Sequence, residues 1–320
     1  MNRSRAALAF SFGTLINASA GCTGAGSDLG GPVTVAAEAP ADFNADSHPD
    51  LLWHNGTTGA TQSWSMSGTS RVATVSFDSS LNVADSSGWV PVGILLPDHT
   101  STTRRDLLWH NGSTGALQLW RMNSDGTRAS IETPSPAINV ADSSGWRIVA
   151  TGTFGITIDP PVQTDLVWHN GTTGATQIWF MVGVDRSTYV DLDSSLNLPD
   201  STGWRIVGAD DFDVDGRTDL VWHNGTTGET QIWYMDTNQR LSFASLDSSL
   251  NVTDASGWRI AVVADFDSDG HPDFVWHNGS TGETQIWYMN GTAGTNRASI
   301  GNLSSSLNLA DSTGWHIVRP

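Results

Sequence analysis

Two residue patterns in this chain have types and spacings that support chemistry. The first is Asp211-Phe212-Asp213-Val214-Asp215-Gly216-Arg217-Thr218-Asp219, with carboxylates at the first, third, fifth and ninth positions and glycine at the sixth. Such a loop can wrap a hard cation in oxygen ligands, with the seventh residue's backbone carbonyl completing the set. Asp265, Asp267, Asp269, Gly270 and Asp273 repeat it, and Asp42, Asn44, Asp46 and Asp50 repeat it with Ser47 replacing the glycine. If the turn needs a positive φ, serine there carries a strain cost, which makes the first loop the weaker one. The expectation is about three structural calcium (Ca2+) sites. The corresponding stretches LLPDHTSTTRRD and FGITIDPPVQTD keep only Asp98 with Asp106 and Asp159 with Asp165, and no calcium is expected there.

The second pattern is a His-Asn pair directly after a tryptophan, at His54-Asn55, His110-Asn111, His169-Asn170, His223-Asn224 and His277-Asn278. An indole face stacks on sugar C–H groups while His and Asn bond hydroxyls, so five such pockets would bind a glycan multivalently. The same residues have an internal use. Trp would be blade core, His would bond a neighbouring backbone carbonyl, and Asn would close the hairpin before Gly. Both uses produce the same regularity.

The elements that place these residues follow from repetition. Trp53, Trp109, Trp168, Trp222 and Trp276 start Trp-His-Asn-Gly copies, separated by 56, 59, 54 and 54 residues. Trp89, Trp146, Trp204, Trp258 and Trp315 each follow a glycine, and Trp64, Trp120, Trp179, Trp233 and Trp287 form a third set, which accounts for all 15 tryptophans. A period of this length signals a repeat architecture. In the fourth unit Trp204–Ala209, Leu220–Asn224, Thr230–Met235 and about Leu241–Leu246 read as strands, with Gly225-Thr226-Thr227-Gly228 as a tight hairpin. Leu220-Val221-Trp222 is an apolar run without alternation, which implies a strand covered on both faces.

Four-stranded antiparallel blades packed between neighbours give that environment and protect the sheet edges. The first unit lacks its Gly-Trp strand, and the chain ends on one. The reading is therefore an all-β, five-bladed β-propeller over residues 35–320, with units of about 35–87, 88–144, 145–202, 203–256 and 257–313. A closing strand at 314–320 pairs with the first blade. A β-solenoid, the alternative, would need capping ends instead of complementary ones. Histidines on second strands lie away from the propeller axis, which disfavours a five-histidine transition-metal ring.

With these residues in view, WRIVGADDFDVDGRTDLVWHN and its copies resemble the FG-GAP or VCBS repeats of bacterial exported proteins and integrin-type propellers. The resemblance covers roughly residues 40–320, with His where Arg is common after that Trp. It implies calcium in the acidic loop and a braced propeller, and it implies no single function. Tachylectin-type five-bladed lectins and a fungal FG-GAP-like lectin, which bind amino sugars between blades, are similar in architecture only.

Composition narrows the partners. Acidic residues outnumber basic ones 33 to 15, for a net charge of −18, and every basic residue is Arg. A phosphate backbone would be repelled, so nucleic acid is not an expected partner. Arg3 and Arg5 precede an apolar run from Ala6 to Ile16, as in an export signal over residues 1–22, and residues 23–34 read as a flexible tether. Ala18-Ser19-Ala20 fits ordinary signal cleavage. Ser19-Ala20-Gly21-Cys22 resembles a bacterial lipobox, which would lipidate Cys22, the single cysteine. The chain is thus expected to be secreted or an outer-membrane lipoprotein, touching the membrane only through that anchor.

Three functions remain. The first is a monomeric, calcium-stabilised, non-enzymatic glycan binder, and the second is a scaffold meeting a surface protein through Thr100–Arg105 and Thr157–Gln163. The third, a propeller glycosidase, needs two or three unlike carboxyl groups in one asymmetric site. Glu229 and Glu283 instead occupy equivalent hairpin positions, and the near-regular symmetry argues for binding without turnover.

Overall fold

The computed structural model describes residues 42–44, 46–95, 106–155 and 164–319. Among them, twenty strands pair into five separate four-stranded antiparallel sheets, the expected propeller blades. Blade 1 is β1 (Leu51–Asn55), β2 (Thr61–Ser67) and β3 (Ser70–Ser76), and blade 2 is β4 (Trp89–Leu95), β5 (Asp106–Asn111), β6 (Leu117–Met122) and β7 (Arg128–Glu132). Blade 3 is β8 (Trp146–Gly152), β9 (Asp165–Asn170), β10 (Thr176–Val182) and β11 (Asp185–Asp191). Blade 4 is β12 (Trp204–Asp210), β13 (Asp219–Asn224), β14 (Thr230–Asp236) and β15 (Gln239–Ser245). Blade 5 is β16 (Trp258–Ala264), β17 (Asp273–Asn278), β18 (Thr284–Asn290) and β19 (Asn296–Asn302), and β20 (Trp315–Ile317) completes blade 1. Trp53 pairs with Ile317 and Asn55 with Trp315, and the Val318 N–H donates to the Leu52 carbonyl at 2.8 Å. The fourth strand of blade 4 begins two residues earlier than the sequence reading places it.

The burial of each strand follows from its place in the blade. DLVWHN of β13 is buried at every position, because the second strand has a neighbour on each edge and a blade against each face. QRLSFAS of β15 is mostly exposed, as an outermost strand is. First strands of successive blades, β4, β8, β12 and β16, lie against one another around the axis. The hairpin glycine Gly228 has φ +79°, and a Cβ there would come within 2.6 Å of the Val252 nitrogen, so only glycine lets the linker cross the turn.

Aromatic stacking joins the blades. Trp222 packs on Trp233 at 4.7 Å between centroids, and Arg240 lies over Trp233 at 4.4 Å. His169 of the preceding blade meets Trp222 edge-on at 5.5 Å. The same His-to-Trp contact links His54 to Trp109, His110 to Trp168, His223 to Trp276 and His277 to Trp53, so the ring of joints closes. Each indole buried here removes on the order of 150–250 Å² from water, worth about 4–6 kcal/mol.

Linkers return from the fourth strand to the next first strand through short 3₁₀ turns. Asp78, Asp193 and Asp247 cap the first of these turns by accepting from Ser80, Ser195 and Ser249 N–H at 2.8 Å. After blade 5, Ser304 takes that role at a longer 3.4 Å. The expected leader, tether and Cys22, together with Asp98, Asp159 and the loops Thr100–Arg105 and Thr157–Gln163, lie outside the described residues.

Candidate functional site

The acidic loops connect first to second strands. In blade 4, Asp211 accepts from the N–H groups of Asp215 (3.1 Å) and Gly216 (2.8 Å), which curls the loop around its first carboxylate. Carboxylate oxygens of Asp211, Asp213 and Asp219 gather within 4.8 Å of one another, and so do those of Asp265, Asp267 and Asp269 in blade 5. Asp213 Oδ1 is buried without a hydrogen-bond partner. An orphaned anionic oxygen among like charges fits a hard cation such as calcium, which these residues would hold. Asp215 stands outside the blade 4 trio and meets Arg217 at 3.3 Å. Asp273 stands outside that of blade 5.

In blade 1, Asp42 accepts from Asp46 and Ser47 N–H, and the Asn44 amide donates to Asp46 at 2.9 Å. No trio of acidic oxygens gathers there among the described residues. The turn does require a positive φ at its sixth position, +70° at Ser47 against +85° at Gly216 and +87° at Gly270. It requires one at the fourth position as well, where Val214 and Ser268 sit at +60° and +61°.

The ninth-position carboxylate has a second use in every blade. Asp219 accepts from Phe212 N–H at 3.0 Å and Met235 N–H at 2.9 Å, tying the loop to the β-bulge in β14. Asp50 holds Phe43 and Met66, Asp165 holds Phe154 and Met181, and Asp273 holds Phe266 and Met289 in the same way. Burial pushes Asp50, Asp219 and Asp273 up to about 7 and Asp165 to about 6. In blade 2, Asp106 bonds Met122 N–H and pairs with buried Arg121, which also meets Glu132 at 2.8 Å.

The His-Asn pairs are interior. His54, His169, His223 and His277 are fully buried, and His110 is 3% exposed. Nδ1 of His54, His169, His223 and His277 meets the hydroxyl of Thr61, Thr176, Thr230 and Thr284 at 2.9–3.0 Å, whereas a backbone carbonyl was the expected partner. Leu117 replaces that threonine in blade 2, and there His110 does bond a carbonyl, that of Val140, at 2.9 Å. Asn55, Asn111, Asn170, Asn224 and Asn278 close their hairpins as the internal reading requires. Asn224 Oδ1 accepts from Thr226 and Thr227 N–H at 3.0 Å, and its Nδ2 donates to the Thr202 carbonyl of the preceding linker. The tryptophans before these pairs are at most 1% exposed, so no sugar reaches their faces.

The aromatic surface lies elsewhere. The Gly-Trp set, Trp89, Trp146, Trp204, Trp258 and Trp315, is half-buried, and Trp204 packs on the same cluster of blade 3 and blade 4 side chains as the linker residues Leu196 and Leu198. Four residues before each of these tryptophans stands an Asp. Asp200, Asp254 and Asp311 take bidentate pairs from Arg147, Arg205 and Arg259 of the blade behind, at 2.6–2.8 Å, and the carboxylates remain 46–48% exposed. Arg147 and Arg205 hold the Asp200 and Asp254 carboxyls below the usual range. Asp85 instead faces His54 at 3.2 Å, and Asp142 faces His110 at 3.7 Å. The sequence reading misses this constellation, although the spacing Asp-x-x-Gly-Trp-Arg at Asp142, Asp200, Asp254 and, with His316 in the last place, Asp311 carries its signal.

Residues 211–276, from the acidic loop of blade 4 to the second strand of blade 5, match the FG-GAP-like repeat family. No curated protein matches the chain. Among solved structures, the chain is similar to a protein of unknown function from Bacteroides caccae, with 11% identity, a TM-score of 0.37, and coverage of 79% of this chain and 73% of that one. It is similar to the Tc holotoxin pore of Photorhabdus luminescens, with 14% identity and a TM-score of 0.38 over 78% of this chain and 14% of that one. It is also similar to YCF48 from Cyanidioschyzon merolae, with 13% identity and a TM-score of 0.33 over 87% and 88%.

Proposed function

We propose, from the premise that this chain is a five-bladed propeller of FG-GAP-like repeats, that it is a non-enzymatic, calcium-braced module that binds glycans at its inter-blade clefts. The observation that carries the reading is the fivefold recurrence of a half-buried Trp next to an exposed Asp. An indole face suits the apolar side of a pyranose, and a carboxylate–guanidinium pair suits its hydroxyls. Five similar weak sites on one body favour a repeating glycan through effective concentration. Calcium in the loops at 211–219 and 265–273, and in the less complete one at 42–50, would neutralise clustered carboxylates and stiffen the loops behind the second strands. Export, with either plain secretion or lipidation at Cys22, would put the module at the cell surface.

A glycan array probed with residues 35–320, in calcium and again in chelator, tests the reading. Selective binding to one sugar class is expected, lowered at least several-fold by Trp204→Ala or Trp258→Ala. A blank array from a folded protein, or binding indifferent to both substitutions, would move the function to a protein-interaction scaffold.

A further inference from the structure

A cavity of about 530 Å³ opens at the outer end of the seam between blades 5 and 1. Thr69, Ser70 and Arg71 of blade 1 line one side, and Asn302, Ser304, Ser306 and Leu307 line the other. Its size falls within the range of small-molecule sites. Four hydroxyls and an amide surround one guanidinium, with one apolar side chain, and no lining residue is acidic. Arg128, Arg186, Arg240 and Arg297 lie over indoles in the same way, so what sets this cavity apart is the linker that faces the guanidinium.

Comparison of the five seams shows how it arises. The linkers after blades 1, 3 and 4 begin with Asp78, Asp193 and Asp247, within FDSSLN, LDSSLN and LDSSLN. At the seam between blades 2 and 3 a carboxylate comes from the other side, where Asp185 accepts from Ser135 N–H at 2.7 Å. Of the linkers that carry Ser-Ser-Leu-Asn, only the fifth, LSSSLN, places a neutral residue, Ser304, ahead of it. The Ser304 hydroxyl lies 3.0 Å from that of Ser306. Across the seam Arg71 is exposed, lies over Trp64 at 4.8 Å, and has no carboxylate within ion-pair distance among the described residues. The indole fixes the guanidinium plane, and its N–H groups remain available to a ligand. The wall is tightly built, since a Cβ at Gly301 would come within 2.5 Å of the Thr69 methyl.

We infer that this pocket binds a sugar bearing one oxyanion, a sulfate ester or a carboxylate, with the anion on Arg71, ring hydroxyls on Ser304, Ser306 and Asn302, and an apolar ring edge on Leu307. Charge-assisted bonds to Arg are the strong ones, and the hydroxyls serve as donors or acceptors as the sugar requires. Leu307 packs on the same cluster as Trp315, so the pocket adjoins that seam's Trp, but Trp315 is not among its lining residues and the anion's partner, Arg71, lies on the other blade.

Calorimetric titration of the calcium-loaded protein with glucose 6-sulfate, glucuronate and glucose tests the inference and separates the two anion sources. One or both charged sugars should bind at one site per chain, with glucose about tenfold weaker or worse, a difference of about 1.4 kcal/mol. Ser304→Asp restores the residue that three other linkers carry, so it should fold and melt like the parent yet abolish binding of the charged sugars. Arg71→Gln should abolish it too. Glucose binding as tightly as the charged sugars, no binding of either charged sugar, or undiminished binding by Ser304→Asp would each overturn the site. Because Ser304→Asp leaves Trp204 and Trp258 untouched, its result is independent of the glycan array.

Discussion

At the scale of the residue, the ninth-position aspartate holds the fold in each blade and, in blade 4 alone among the described residues, also stands in an acidic trio that could hold a metal. Asp219 and Asp165 make the same two backbone bonds, but only Asp219 joins an acidic trio. Asparagine can accept with one oxygen and turns an amide donor towards an N–H. Asp219→Asn and Asp165→Asn should therefore each lower unfolding free energy by about 1–3 kcal/mol in chelator, as measured by urea denaturation. Only Asp219→Asn should also weaken calcium binding. Equal calcium binding by the two variants would take Asp219 out of the metal site.

At the scale of the element, the acidic loop holds strain that its sequence conceals. Val214 is β-branched and sits at φ +60°, a region that costs an L-residue roughly 1–2 kcal/mol. Its side chain is exposed and in no trio, so Val214→Gly should raise the melting temperature and leave calcium affinity unchanged. A lower melting temperature would mean that valine contributes more than its backbone costs. The fourth position holds Val in one loop and Ser in another, and neither residue type announces a left-handed conformation. The strands, by contrast, were legible, because three tryptophans per unit and an apolar run without alternation fit few arrangements besides a blade. The direction of the histidines was not legible from Trp-His-Asn alone. A threonine seven residues after His54, His169, His223 and His277, replaced by Leu117 after His110, carried that information, since a hydroxyl across the hairpin marks an imidazole turned inward. The inter-blade Arg–Asp pairs are 49–53 residues apart in sequence, and only the packing of each blade against the linker that follows it brings them together.

At the scale of the whole molecule, the joints and the loops oppose one another in acid. Burial pushes His54, His169, His223 and His277 down to about 4, below their ordinary 6.5. Their contribution is fully present above pH 6.5 and is lost as pH falls towards 4, at about 1.4 kcal/mol per histidine for each pH unit crossed. Asp50, Asp219 and Asp273, raised to about 7 from 3.8, contribute in the opposite sense, fully below about pH 4 and not above 7. Calcium at the blade 4 trio would hold Asp219 ionised and reverse its sign. The melting temperature in calcium should fall steeply from about pH 6.5 to 4, and the profile in chelator should be flatter. The gap between the two should widen towards neutral pH. A gap that is absent, or the same at every pH, would rule out metal in these loops.

Each blade supplies the histidine of one joint and the tryptophan of the joint before it, so no joint belongs to a single blade. Wherever a stretch of 54 residues, the spacing from Trp168 to Trp222 and again to Trp276, is copied and inserted in frame, it brings one whole His–Trp contact and one whole Arg–Asp pair with it. Duplication therefore never has to invent an interface. Copying alone would leave the seams alike, and Ser304 in the fifth linker is one place where they differ.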